Sequence, residues 1–250
     1  KFRKNKGGIK MHTLVDLRGN LPVSVYLTSA SVNDVKALDN LYIEPSAIYL
    51  MDRGYVDFNR LFKLITKKNA FFVTRAKDNM LFEVVSEAEV DKSTGIISDE
   101  RIKLTGLHTA KWYPEELRMV TYEDYATNKV YRFLTNNMEY EALTISELYR
   151  ERWNVELYFK WIKQHLHIKS FYGTSENAIY LQIWIAICTY LLLAYAKKVM
   201  HIDQSLHTIS KNVGLFLTDK TPLNDLFNKA VPTEETEDWL YPSLFSPDDF

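Results

Sequence analysis

Tyr149, Arg152, Glu156 and Lys163 stand three, four and seven residues apart in a stretch, 145–166, that holds no Gly or Pro. At about 100° per residue they fall within an arc of roughly 60° on one helix face. A carboxylate set among a phenol, a guanidinium and an ammonium can hold a hard cation and a phosphate side by side. The same wheel puts Leu148, Val155, Phe159, Ile162 and Leu166 about 80° to 140° round from Tyr149, as an apolar stripe that should face a core. Glu156 then sits at the margin of the buried face. Any one of these charges alone is better explained as a solvated helix charge; the set of four at this spacing is not.

A second carboxylate, Asp52, follows directly on the apolar run 47–51 and precedes Gly54 and Tyr55. Ligands gather at strand ends in open α/β sheets, and a glycine there lets the backbone turn and leaves room for a bulky group. One acid at a strand end and one on a helix packed beside it offer the oxygen ligands a divalent cation needs, with positions left for water and phosphate. The competing explanation for Asp52 is a turn or helix cap.

The elements that must position these groups can be read from the pattern. Segments 8–17 and 21–28, joined by Asp16-Leu17-Arg18-Gly19-Asn20, predict a hairpin. A short helix is predicted over 33–41 with Asn33 or Ser31 as cap, then a buried strand at 47–51. A helix over 58–68 and a strand over 70–76 complete a strand, helix, strand unit of the kind that pairs in parallel. From 79 to 137 the texture becomes polar turns and alternating strands, among them 117–124 and 129–136 around a turn at 126–128. The stripe-bearing helix follows, then an apolar helix, then weaker helices near 205–217 and 222–229. The tail from Val231, with three prolines and six acids, predicts little order. No internal repeat is visible.

Bulk composition bounds the answer. A chain of 250 residues, 46% hydrophobic and 14% aromatic, can build one large domain with an insertion. Its single cysteine, Cys188, excludes an intramolecular disulfide and reads as buried packing in a reducing compartment. The chain's net charge is −1, yet six of its acids and none of its bases lie beyond Lys229, so residues 1–229 carry +5; five of the first ten residues are basic. That bias suits a polyanion. The apolar stretch 179–195 has borderline length for a membrane span and is read as a buried central helix, hydrophobic on all sides for that reason. His165 and His167, two apart on a helix, point to different sides and make no zinc site. His12 reads as a half-buried strand residue.

The pattern Tyr149-xx-Arg152-xxx-Glu156-xxxxxx-Lys163, with Asp52-Arg53-Gly54-Tyr55, resembles the insertion-sequence DDE transposases that carry a Tyr-Arg-Glu-Lys signature, the IS-four type. The segment from Gly7 to Asp34 is also similar to the stretch between that family's first two acidic positions, and the resemblance covers about residues 1–200. It implies an α/β fold: an RNase H-like mixed sheet flanked by helices, with a mostly β insertion before the catalytic helix. On this chain that corresponds to 1–78 and 138–230 for the core, 79–137 for the insertion and 231–250 for the acidic tail. It implies two Mg²⁺ or Mn²⁺ ions held by acids, Asp52 as the second carboxylate and Glu156 as the third. Tyr149, Arg152 and Lys163 would contact DNA phosphates near the scissile bond. Lys111 and Trp112 are further candidates, for a phosphate and for stacking on a displaced base.

The family's first acid lies on a strand before the hairpin, and no residue here fills that position; Asp16 sits in the hairpin turn, and Asp34 and Asp39 read as cap or surface acids. The chain is therefore expected to be an N-terminally truncated transposase, nearly inactive as it stands. The implied partners are insertion-sequence ends and target DNA, with a homodimer on paired ends and no membrane. The implied location is the cytoplasm, at the bacterial nucleoid. Two alternatives stay open: a non-catalytic DNA-binding remnant, and a metal-dependent nuclease on the same fold.

Overall fold

The structure is a computed structural model of the chain and describes residues 8–166, 168, 171–220 and 222–228. The basic opening up to Lys6, His167 and the acidic tail lie outside the described residues. The chain divides into two compact units, whose described residues are 8–14 with 23–153, and 15–22 with 154–228.

Strands β1 (Ile9–Asp16) and β2 (Leu21–Ser29) form a two-stranded sheet. Their turn ends on Asn20 at φ 50°, a left-handed conformation that Asn tolerates better than most residues. A 3₁₀ turn, Asp34–Asn40, starts at Asn33, whose side chain accepts a hydrogen bond from the Val35 N–H.

Strand β3 (Ile48–Met51) pairs in parallel with β4 (Phe71–Arg75), Ile48 beside Phe71 and Met51 beside Thr74. Parallel neighbours require a crossover. It is built from α1 (Phe58–Arg60), a π-helical segment Leu61–Ile65 and a 3₁₀ turn Thr66–Lys68. The Asp57 carboxylate caps its start, and Asn69 at φ 57° ends it. Leu61 and Ile65, one helical turn apart, press the crossover onto the sheet.

Four further strands, β5 (Phe82–Glu87), β6 (Ile96–Leu104), β7 (Leu117–Asp124) and β8 (Lys129–Thr135), run antiparallel to one another. A short helix, α2 (Thr109–Trp112), joins β6 to β7. Residues 79–137 thus supply strands that extend the sheet directly from β4: β8 pairs beside it, Val73 opposite Thr135, and the strand order is β3-β4-β8-β7-β6-β5. The result is a mixed α/β architecture with a six-stranded sheet flanked by helices.

Both faces of that sheet are covered, which is why β4 reads as a continuous apolar run. Met51, Phe72, Leu134, Met119 and Ile102 meet the crossover on one face. Val73, Val120, Phe133 and Tyr131 meet Ile145 and Tyr149 of α3 (Ala142–Arg150) on the other.

The second unit is helical, with most of α4 (Trp153–His165), then α5 (Glu176–Val199), α6 (Leu206–Leu215) and α7 (Leu223–Asn228). Ser175 and Ser205 cap α5 and α6. Tyr190 is its hub: the ring lies 4.9 Å from Tyr158 and 5.2 Å from Trp161, and the hydroxyl donates to the Asn20 carbonyl at 2.8 Å.

Two expectations from sequence require correction. The apolar helix is buried on one face only, through Ile183, Ala186, Ile187, Tyr190 and Leu193, while Leu181, Ile185, Cys188, Leu192, Tyr195 and Val199 are exposed. A helix apolar on two faces about 180° apart is hydrophobic all round in sequence, whichever face is covered. Among the described residues it is the one helix long and apolar enough to cross a membrane, a test that core helices also pass.

The second correction concerns the single helix expected through 145–166. The structure breaks it at Glu151 and Arg152, where Glu151 N–H bonds Leu148 and Arg152 N–H bonds Tyr149, the i→i−3 pattern of a tightened last turn. The reason lies in what each half buries. α3 buries Ile145, Ser146 and Tyr149, whereas α4 buries Tyr158 and Ile162. On one straight helix those two sets would point about 195° apart.

Candidate active site

Asp52 stands at the carboxyl end of β3, one step beyond the Met51–Thr74 pair. Arg75 occupies the corresponding step on β4. Asp52 is exposed and caps the 3₁₀ turn Arg53–Tyr55: its Oδ1 accepts the Arg53 N–H at 2.7 Å, and the Tyr55 N–H returns to its carbonyl at 3.0 Å. The capping role weighed from sequence is therefore real, and it engages one carboxylate oxygen. A Cβ built on Gly54 would meet nothing nearer than Asp52 Oδ2, at 4.0 Å. The glycine leaves space above the carboxylate; it is not needed for a left-handed turn, since its φ is ordinary.

Tyr149 reaches this place from α3. Its ring packs at 4.9 Å from Phe133, and only 2% of the residue is exposed. Burial pushes its hydroxyl up to about 12; Arg152 and Arg75 oppose the rise and Asp52 adds to it. Those influences place Asp52, Arg75, Tyr149 and Arg152 in one electrostatic neighbourhood of the first unit. The Arg152 guanidinium lies 5.7 Å from the Tyr149 ring centroid, and that of Arg75 lies 5.2 Å from Tyr131. Such placement over aromatic faces holds a guanidinium without neutralising it. Tyr149, expected from sequence to touch phosphate directly, is a buried residue beneath the cations.

Glu156 and Lys163 belong to the second unit. Both are exposed and lie two turns apart on one face of α4, with the Lys163 ammonium 5.9 Å from the Phe159 ring. Lys111 and Trp112 sit on α2, after β6. Since β6 runs opposite to β4, α2 lies at the other end of the strands from Asp52. The structure does not bring this pair to Asp52, and Trp112 stacks on His108 instead, at 5.6 Å.

Sequence reasoning missed Arg75. A cation at the carboxyl end of the strand parallel to Asp52's own was the available signal. It also missed the contact behind Tyr55, where His12, expected to be half-buried, is buried and bonded through both ring nitrogens.

Among the described residues no three His, Cys, Asp or Glu side chains cluster as a metal site. Asp52 offers an exposed carboxylate with one oxygen outside the cap, the kind of donor a hard ion takes, and the second unit carries an exposed carboxylate of its own in Glu156.

Comparison with known proteins gives the family. The transposase DDE domain family matches residues 1–192, and the chain belongs to it. It is 36% identical to the putative transposase y4zB of Sinorhizobium fredii over 199 residues, covering 78% of this chain and 55% of the relative. It is 28% identical to a probable transposase for insertion sequence element IS5377 of Geobacillus stearothermophilus, covering 89% and 59%. A putative transposase for insertion sequence element IS4SA of Synechocystis is 27% identical, with 85% and 57% covered. The chain thus spans between one half and two thirds of the length of these curated relatives. No solved structure matches it.

Proposed function

We propose that this chain is the catalytic domain of a transposase that cleaves and joins DNA at insertion-sequence ends by two-metal phosphoryl transfer. The observation that supports this reading is Asp52 at the end of a parallel strand pair, in one electrostatic neighbourhood with Arg75, Arg152 and the buried Tyr149. Asp52 and Glu156 are the carboxylates that would hold Mg²⁺ or Mn²⁺. Bound there, two ions would activate a water or a 3′ hydroxyl and stabilise the leaving oxygen. Arg152, Arg75 and Lys163 bind phosphate oxygens, and Tyr149 carries Arg152 on its ring. The free Oδ2 of Asp52 and the space over Gly54 admit a phosphodiester.

The outer edge of β3 pairs with no strand among the described residues. In this reading a third carboxylate beside Asp52 completes the ligand set. The remaining parts of the proposal follow from the reaction: element-end and target duplexes as partners, a dimer on paired ends, and action in the cytoplasm at the nucleoid. Lys111 and Trp112 would serve DNA away from the chemistry, at the opposite sheet end.

The test is Mg²⁺-dependent cleavage of element-end DNA by a protein of the relatives' full length, compared with Asp52→Asn and Glu156→Gln. Loss of cleavage by at least a thousandfold in both variants, with joined product when a target duplex is added, is the expected result. Cleavage without joining would leave a nuclease. DNA binding with no cleavage in any form would leave a non-catalytic remnant.

A further inference from the structure

We propose that His12, acting through Tyr55, is a positioning residue that fixes the Asp52 carboxylate; its link to metal rests on the reading of Asp52 given above. His12 lies on β1 with 5% of its surface exposed. Its Nδ1 is 3.1 Å from the Tyr55 hydroxyl and its Nε2 is 3.0 Å from the Thr28 hydroxyl. Two hydroxyls on two ring nitrogens fix the ring's orientation: in the neutral imidazole one nitrogen donates and the other accepts, and a hydroxyl can answer either role. Tyr55 meets the imidazole edge-on, with centroids 6.2 Å apart and planes at 85°.

Tyr55 closes the turn that Asp52 opens. Of the four residues Asp52 to Tyr55, the first three are exposed, and the outer side of the turn is held only by a long, solvent-exposed ion pair of Arg53 with Asp78 at 3.9 Å. Its buried attachments are inward. The Tyr55 hydroxyl is bonded to His12, and at the following residue Val56 is buried, its carbonyl accepting from the Lys77 ammonium at 3.0 Å. A capping carboxylate moves with the turn it caps, so the His12–Tyr55 bond sets where Asp52 Oδ2 points. Burying an imidazole lowers its proton affinity, a cost that an apolar residue of similar size would not carry. The two hydrogen bonds are what the histidine gains for it.

Two conservative variants separate positioning from packing. The Asn amide nitrogen superposes on His Nδ1 and the Gln amide nitrogen on His Nε2, so His12→Asn keeps the Tyr55 link while His12→Gln keeps only the Thr28 link. Both remove ring packing alike. Backbone amide exchange over residues 53–56 and Mn²⁺ binding, read by water-proton relaxation, are measured on the full chain for both variants and for Tyr55→Phe. Asp52→Asn is the metal control. His12→Gln and Tyr55→Phe should speed those amides about tenfold and weaken Mn²⁺ severalfold, with His12→Asn close to the parent in both. Equal effects of His12→Asn and His12→Gln, or unchanged exchange in Tyr55→Phe, would overturn the proposal. Mn²⁺ binding that Asp52→Asn does not alter would instead remove the metal reading, while amide exchange still decides the positioning.

Discussion

Asp99→Ala tests whether the frame behind α3 rests on a buried ion pair. Arg118 on β7 donates from Nε and Nη2 to the two carboxylate oxygens of Asp99 on β6, each at 2.7 Å, and the side chains are 9% and 12% exposed. Its Nη1 also donates to the carbonyls of Asn137 and Tyr140, in the loop that enters α3. Removing the carboxylate leaves a guanidinium buried without its counter-charge, a loss of about 3–5 kcal/mol. At about 1.4 kcal/mol per tenfold, amide protection in β6 and β7 should fall by about two to three and a half decades. Native-state hydrogen exchange reads this in the first unit alone, so unfolding of the second unit does not blur it. The double variant Arg118→Met with Asp99→Leu should recover most of the loss, since an apolar pair of similar volume has no charge to desolvate. A fall of less than tenfold in Asp99→Ala would show that the pair is solvated and that the loop into α3 is held by other contacts.

Three further outcomes follow from the geometry. Gly95, at φ 88° with a built Cβ only 2.8 Å from the Glu123 carbonyl oxygen, should lose about 1–3 kcal/mol on change to Ala, whereas Gly54→Ala, whose Cβ would sit at van der Waals distance, 4.0 Å, from Asp52 Oδ2, should leave the melting temperature unchanged; equal melting temperatures for the two would refute the first. Burial holds His12 below its ordinary 6.5 against the pull of Asp34, and Lys10 lowers it further. The unfolded state then takes up the proton first, so His12's contribution is complete above about pH 6.5 and is lost as pH falls below that value; His12→Gln should flatten this part of the stability profile, and an unchanged slope would refute the assignment. Trp112→Ala should lower affinity for element-end DNA severalfold and leave the cleavage rate at saturating DNA unchanged, because α2 lies at the sheet end opposite Asp52; unchanged affinity would remove α2 from the DNA interface.

Much of the first unit was legible because its signals are local. The hairpin, the Asn33 cap, the 58–68 crossover and the turn before β8 are each written in adjacent residues. That β3 and β4 pair in parallel followed from a helix-length connection alone. The attachment of β8 to β4 was not legible, since it joins residues 60 positions apart, and apolar strands of similar length look alike until register is known. The break at Arg152 was hidden for another reason. Residues 145–166 contain no helix breaker, so local propensity favours one helix, and only the opposed burial of Tyr149 and Ile162 separates the halves. The same limit applies to α5, where composition reports apolar faces but not what covers them.

Tyr149 is the residue at which spacing and burial disagree most. Spacing places it on the same face as Arg152 and Glu156, which suggests a phenol touching phosphate. Burial to 2% exposure, ring contact with Phe133 and a hydroxyl raised to about 12 describe a packing residue that stays neutral throughout the physiological range. The two roles separate under substitution. Tyr149→Phe keeps the ring that packs on Phe133 and supports Arg152, so DNA affinity should stay within about twofold, consistent with the loss of one weak hydrogen bond at most. Tyr149→Ala removes the ring from a closed interface and should cost about 3–5 kcal/mol, lowering amide protection in β8 and α3 and releasing Arg152. If Tyr149→Phe instead lowers affinity tenfold with protection unchanged, the hydroxyl reaches the nucleic acid, and α3 must open at Arg152 to expose it.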